Sequence, residues 1–351
     1  MNTLPSTDSS RHIQVIDASS HTSIRCGPDH TYPLGTDRHT GRHVRRAQSR
    51  ALVSDLVALG ADVEWPDNDA ASAVRNTVTA ASVDPGRLGE LAEWIAGVQG
   101  RWPAQDFARV RTVVFGAHPG APGVSPALET IAELTGSTVR AVARQEHEAS
   151  QALAAGVALA DEEIDGGADL LIVALLGPDA DTPALALVSI LTNTEPVKVL
   201  PRGARTSPEA WMLRAIAVRD ARRRGMTYRA QPAELLEALG CADAAACAGF
   251  LLRAAARRTP VLLDGLPAAA AALVAYEAQP RAVRWWESAD LSAEPAHELA
   301  LTKLGKRSVL DLGIGLADGT AGLLAVPVLR AAVRTVVALG EAADADITAG
   351  E

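Results

Sequence analysis

Short apolar runs of strand character alternate along the chain with longer stretches whose apolar residues recur every three or four positions, the spacing of one helix face. The runs "RTVVFGA" at 111–117, "STVRAVA" at 137–143, "ADLLIVALLG" at 168–177 and "PVKVLP" at 196–201 read as strands, as do "PVLLDG" at 260–265, "AVRWW" at 282–286 and "SVLDLG" at 308–313. The run at 168–177 is continuously apolar, as in a strand covered on both faces. Helical spacing predicts helices at 43–60, 85–102, 126–136, 150–167, 183–193, 208–224, 232–238, 242–257, 267–276 and 294–304, with a last long one through "LLAVPVLRAAVRTVVALG" at 323–340. The stretch between Gly60 and Pro85 carries no predicted element. Strands separated by helices of this length require right-handed crossovers, so the fold class is α/β, a doubly wound parallel sheet.

In such a sheet ligands bind beyond the carboxyl ends of the strands, where helix N-termini also open. Four strand ends stop in glycine plus a polar residue: "FGAHPG" at 115–120, "LLGPDADTP" at 175–183, "LLDGLP" at 262–267 and "LGIGLADGT" at 312–320. Each alone is an ordinary turn; four together point to a shared site. The helix starts at Thr182-Pro183, Leu266-Pro267 and Gly319-Thr320 can offer N–H groups to a phosphate. Neither a Walker loop nor a GxGxxG fingerprint is present, which argues against ATP and NAD.

Composition narrows the class. With 351 residues, 48% of them hydrophobic, the chain can bury a large core. A net charge of −9 argues against nucleic acid as a partner. Cys26, Cys241 and Cys247 lack metal-ligand spacing and read as reduced thiols, with no metal site and no disulfide. Arg, Asp or Gly interrupts the apolar stretches within about 18 residues, so no membrane span is expected. The start "MNTLPSTDSSRHIQ" lacks the apolar core of a secretory signal. Five of the eight histidines fall in the first 45 residues without paired spacing, which reads as a solvated tail. The expected organisation is a disordered tail over 1–45, a helical segment over 46–105, an α/β domain over 106–335 and a C-terminal tail over 336–351.

The order and spacing of several segments resemble one family. "PVLLDG", then "WWESADLSAEPAHELALTKLG", then "VLDLGIGLADGTAGLLAVPVLRAAV" are similar to the C-terminal half of the nicotinate-nucleotide:dimethylbenzimidazole phosphoribosyltransferases, where the stretches run as LLDG, SxEPGH and GEGTGA. Upstream, "DPGRLGELAEWIAGVQ" resembles that family's PGSLGxLExLA segment, "VVFGAHPGAPGVS" its VVFAGDHGVxxxGVS, and "LLGPDADTPALAL" its GIGNTT loop. The likeness covers about residues 84–335.

The resemblance implies a homodimeric cytoplasmic enzyme with a Rossmann-like sheet and a small helical domain built from the chain ends. Its substrates would be nicotinate mononucleotide and 5,6-dimethylbenzimidazole, with no cofactor, no nucleic acid and no membrane. It places Asp318 where the family carries its catalytic glutamate, one methylene shorter. The substrate-binding positions it implies are His118, Ser125, Gly177, Thr182, Gly203, Arg214, Asp264, Gly265, Ser292, Glu294, Gly319 and Thr320, with His297 also retained. Departures are plain too. His118-Pro119-Gly120 replaces DHG, Arg214 replaces a lysine, and Asp179 and Asp181 add negative charge where a phosphate would sit. Between Ser125 and about Gln151 the chain is several tens of residues shorter than its relatives. Two classes of function follow: a phosphoribosyltransferase, or a catalytically impaired paralogue that binds a nucleotide-like ligand or an active partner subunit.

Overall fold

The computed structural model describes residues 14–15, 56, 58–117, 125–145, 148–177, 180–201 and 207–349. The expectations for the first 45 residues, apart from 14–15, and those for His118-Pro119-Gly120, Asp179 and Gly203, lie outside the described residues.

Among the described residues seven strands form one sheet, and every pairing is parallel. They are β1 (Gln14–Val15), β2 (Val110–Ala117), β3 (Thr138–Ala143), β4 (Leu170–Leu175), β5 (Val261–Asp264), β6 (Trp286–Asp290) and β7 (Ser308–Leu310), in the spatial order β1-β3-β2-β4-β5-β6-β7. Helices α1 (Asn68–Ala81), α2 (Arg87–Gln99), α3 (Pro126–Thr135) and α12 (Thr320–Ala349) contribute to the core on one face. On the other face lie α4 (Ala149–Asp165), α5 (Asp181–Leu191), α6 (Pro196–Val199), α7 (Pro208–Gly225), α8 (Pro232–Leu239), α9 (Ala242–Ala256), α10 (Gly265–Ala278) and α11 (Pro295–Leu304). Alternation along β4 shows how one strand feeds both cores: Leu171, Val173 and Leu175 face one, and Leu170, Ile172 and Ala174 the other. The doubly wound α/β reading holds.

Three expectations change. "PVKVLP" is the single helical turn α6 rather than a strand. Pro196 fits the first turn of a helix at no hydrogen-bond cost, and the alternating valines suit four helical residues as well as a strand. "AVRWW" is a 3-10 turn over Pro280–Trp285, and the strand begins at Trp286. The unassigned stretch after Gly60 contains α1, whose N-terminus Asp67 caps by accepting the Ala70 N–H at 2.8 Å.

The last helix exceeds the expected length of apolar stretches: Thr320–Ala345 is, by length and composition only, long and apolar enough to cross a bilayer. Its Leu323, Val326, Leu329, Val333 and Val336 are core residues packed against the sheet and α1–α3, so its apolarity serves the interior. The helix runs on to Ala349, through residues expected to form a tail from 336.

Candidate active site

The carboxyl ends of β4, β5, β6 and β7 surround a cavity of about 720 Å³. Backbone geometry opens it. Gly177 follows β4 with φ +133° and Gly265 follows β5 with φ +79°, conformations that side chains rarely tolerate. Gly265 is further constrained because a Cβ there would stand 2.5 Å from the Ala317 methyl. Gly177, Arg214, Gly265, Ser292 and Glu294 all line the cavity, as the resemblance implies. Its far wall is the loop Gly313–Ala317, which sequence reasoning does not single out residue by residue.

Asp318 lies one residue beyond that wall, 4% exposed, at the start of α12. One carboxylate oxygen accepts the Thr320 N–H at 3.0 Å, and the other accepts the Ser125 hydroxyl. Ser125 in turn caps α3, accepting the Leu128 N–H at 3.0 Å. Two elements far apart in sequence thus orient one carboxylate. Asp318 itself is not among the residues that line the cavity. Gly319 (φ +104°) packs on Thr112, where a Cβ would meet the threonine methyl at 2.5 Å, and Thr320 is buried beside it. The hydroxyls of Thr112 and Thr320 are buried without hydrogen-bond partners among the described residues.

Asp264, at the end of β5, is 2% exposed and accepts the Gly322 N–H at 2.8 Å. Burial, reinforced by the negative charge of Asp318, pushes its carboxyl up to about 7. Glu294, at the start of α11, is raised by burial and then by Asp181, against the pull of Arg214. Arg214 donates to Asp181 at 2.9 Å, so a positive charge stands beside the acidic one at this edge of the cavity. Thr182 sits in the first turn of α5, half-buried and outside the cavity lining. Ser292 donates its N–H to His297 Nδ1 at 3.2 Å, and its hydroxyl lies 3.0 Å from the same nitrogen. His297 is fully buried, which lowers its ring to about 4 and keeps it neutral at pH 7.

Asp290 is absent from the residues that the sequence singles out. It ends β6, 3% exposed, and its two oxygens accept the N–H groups of Leu312 and Ile314 at 2.7 and 2.6 Å. The signal available is a carboxylate at a strand end two residues before the "SAEP" stretch. Among the described residues no group of histidine, cysteine and carboxylate side chains could hold a metal. Cys241 and Cys247 are buried free thiols, and burial pushes Cys241 up to about 12.

A strand-edge cavity with glycine turns, helix N-termini and buried carboxylates on a parallel sheet defines an α/β enzyme of small-molecule substrates. A family model described as Phosphoribosyltransferase matches residues 122–347, and that is its class. A nicotinate-nucleotide–dimethylbenzimidazole phosphoribosyltransferase from Mycobacterium marinum is 38% identical over 312 aligned residues, covering 75% of this chain and 87% of the relative. One from Mycobacterium avium is 37% identical over 340, covering 82% and 97%. The crystal structure of CobT from Thermus thermophilus superposes with a TM-score of 0.67 at 28% identity, covering 76% of this chain and 96% of that one. The chain belongs to the nicotinate-nucleotide–dimethylbenzimidazole phosphoribosyltransferase family. It is a glycosyltransferase-type enzyme by that membership, which favours the transferase over the impaired-paralogue alternative.

Proposed function

We propose that this protein transfers the 5-phosphoribosyl group of nicotinate mononucleotide to 5,6-dimethylbenzimidazole or a related aromatic base, forming an α-ribazole phosphate for the lower ligand of cobalamin. One ring nitrogen of the base attacks C1′ of the ribose as the bond to nicotinate breaks. The proton of the other ring nitrogen passes to Asp318, the general base. Such a base contributes roughly 10²- to 10⁴-fold, and positioning in the cavity supplies the rest. The Ser125 hydroxyl and the Thr320 N–H fix the carboxylate's orientation. Glycine turns and helix starts at Gly177–Thr182, Gly265 and Gly319–Thr320 serve the phosphoribosyl half, with Arg214 balancing Asp181. His118 and Gly203 belong to the same reading by resemblance alone. By resemblance to the family, the protein is a cytoplasmic homodimer, with the helices of the chain ends as its small domain.

The single observation that carries this reading is the carboxylate of Asp318, oriented by two hydrogen bonds and next in the chain to the cavity-lining Ala317, in a chain of this family. Purified protein given both substrates should release nicotinate and form the ribazole phosphate, followed by liquid chromatography. Asp318→Asn should lower kcat by about 100-fold or more while leaving the fold intact. Equal turnover by the variant would remove Asp318 from the mechanism, and the absence of product from the wild type would overturn the substrate assignment.

A further inference from the structure

The loop 311–317 forms the cavity wall nearest Asp318, yet it buries little of itself. Leu312 is 68% exposed and Leu316 49%, and the backbone at Gly313 and Ala317 has φ +65° and +50°. Ala317 carries a Cβ in this left-handed region, a strained conformation that persists only where the surroundings impose it. At that end the loop packs on Gly265. At the other end two charge-assisted hydrogen bonds hold it: the carboxylate of Asp290 accepts the Leu312 and Ile314 N–H groups at 2.7 and 2.6 Å from the sheet edge. Asp290 itself is fixed by β6, whose five residues are all buried, and Leu291 N–H bonds back to Leu310 C=O at 3.3 Å.

We propose that Asp290 is a positioning residue for the acceptor side of the site, clamping the loop 311–317 so that its apolar edge and Asp318 present the cavity wall to the aromatic base. The inference rests on the transferase reading above, and its consequence is specific. Loss of the clamp displaces Gly313–Ala317, which line the cavity. The groups offered for the donor half on β4, β5, α5 and α7 stay where they are, and Gly319 and Thr320 are held separately by the start of α12 and the packing of Gly319 on Thr112. Asp290→Asn keeps the volume and one acceptor oxygen but turns an NH2 toward one of the two N–H donors.

The test uses the full chain and has two readouts. In amide hydrogen exchange, Leu312 and Ile314 should be protected in the wild type and exchange at least about tenfold faster in Asp290→Asn, with β5 unchanged. In steady-state assays, KM for the benzimidazole should rise about tenfold, KM for nicotinate mononucleotide should stay within about twofold, and Asp290→Glu, which keeps the carboxylate, should recover part of the acceptor KM. Unchanged exchange at the two amides, or unchanged acceptor KM once they are freed, overturns the proposal. Should the wild type show no turnover, the transferase reading falls separately. Calorimetric titration with dimethylbenzimidazole then decides: weaker binding by Asp290→Asn supports the clamp, and equal affinity or no binding to either protein overturns it.

Discussion

Asp264 shows what a buried carboxylate costs at this sheet edge. Its carboxyl stands at about 7 against an ordinary 3.8, because burial and the neighbouring Asp318 disfavour the charge more than the Gly322 N–H favours it. A folded-state value above the unfolded one means that the folded chain holds the proton more tightly. The contribution to stability is therefore complete below pH ~4 and is lost as the pH rises through about 7, at roughly 1.4 kcal/mol per unit. Asp264→Asn carries no charge, and its amide oxygen can still accept from Gly322. Relative to the wild type it should gain about 2–3 kcal/mol between pH 5 and pH 8 in urea unfolding. Parallel pH dependence of the two proteins would show that Asp264 ionises as freely folded as unfolded. At the same scale, the strand-end glycines and Asp318 are legible because turn chemistry leaves a mark in the sequence. Asp290 is not, since a buried acid satisfied by two backbone N–H groups looks in sequence like any surface acid.

Helix packing on the larger core depends on two glycines that face each other. On α4, a Cβ at Gly156 would stand 1.9 Å from the Ala246 carbonyl oxygen; on α9, a Cβ at Gly249 would stand 2.5 Å from that of Leu153. Each glycine lets the other helix's backbone approach. Gly156→Ala would add roughly 1 kcal/mol of intrinsic helix preference, but the clash is with backbone and cannot be relieved by a rotamer. A net loss of about 1–3 kcal/mol is expected, read as a lowered urea midpoint with unchanged m. A neutral or raised midpoint would mean that the helices slide apart freely. Elements whose pattern matches their burial are readable: β4 is apolar throughout and buried throughout. The strand β6 defeats the same rule, because "WESAD" is buried at all five positions while three of its side chains are polar. Ser288 lies 3.0 Å from Ser308, Glu287 meets Lys306 at 3.0 Å, and Asp290 holds the loop, so partners brought by the fold replace the missing hydrophobicity. No sequence window contains those partners. The helix α1 escapes detection for a milder reason, since only Ala70 and Val74 of its fourteen residues are buried and its apolar side is made mostly of alanines.

Across the whole molecule, one buried ionic cluster joins the N-terminal helices to the last strands. Glu287 of β6 pairs with Lys306 at 3.0 Å, each side chain 9% exposed, and with Arg87 of α2 at 3.3 Å. Arg87 also donates to the Arg307 carbonyl at 2.8 Å, a link spanning 220 residues of chain. Burial lowers the Lys306 ammonium below its usual range while Glu287 pulls the other way, so the lysine depends on that one carboxylate for its charge. The helix α12 closes the same circuit from the other end, running from the active-site turn to pack on α1 and α2. Glu287→Gln would leave Lys306 without its counter-charge, while Arg87 keeps Glu90 at 2.8 Å, and should cost about 3–5 kcal/mol in urea unfolding, barely altered by added salt because the Glu287–Lys306 pair is shielded from counterions. Replacing both partners, Glu287→Met with Lys306→Met, should recover much of that loss, since an apolar pair needs no compensation. The interaction is then a tie between distant segments rather than a source of net stability. A single-variant cost below about 1 kcal/mol, or a double variant worse than the single, would place the tie elsewhere, in the packing of α12 against α1 and α2.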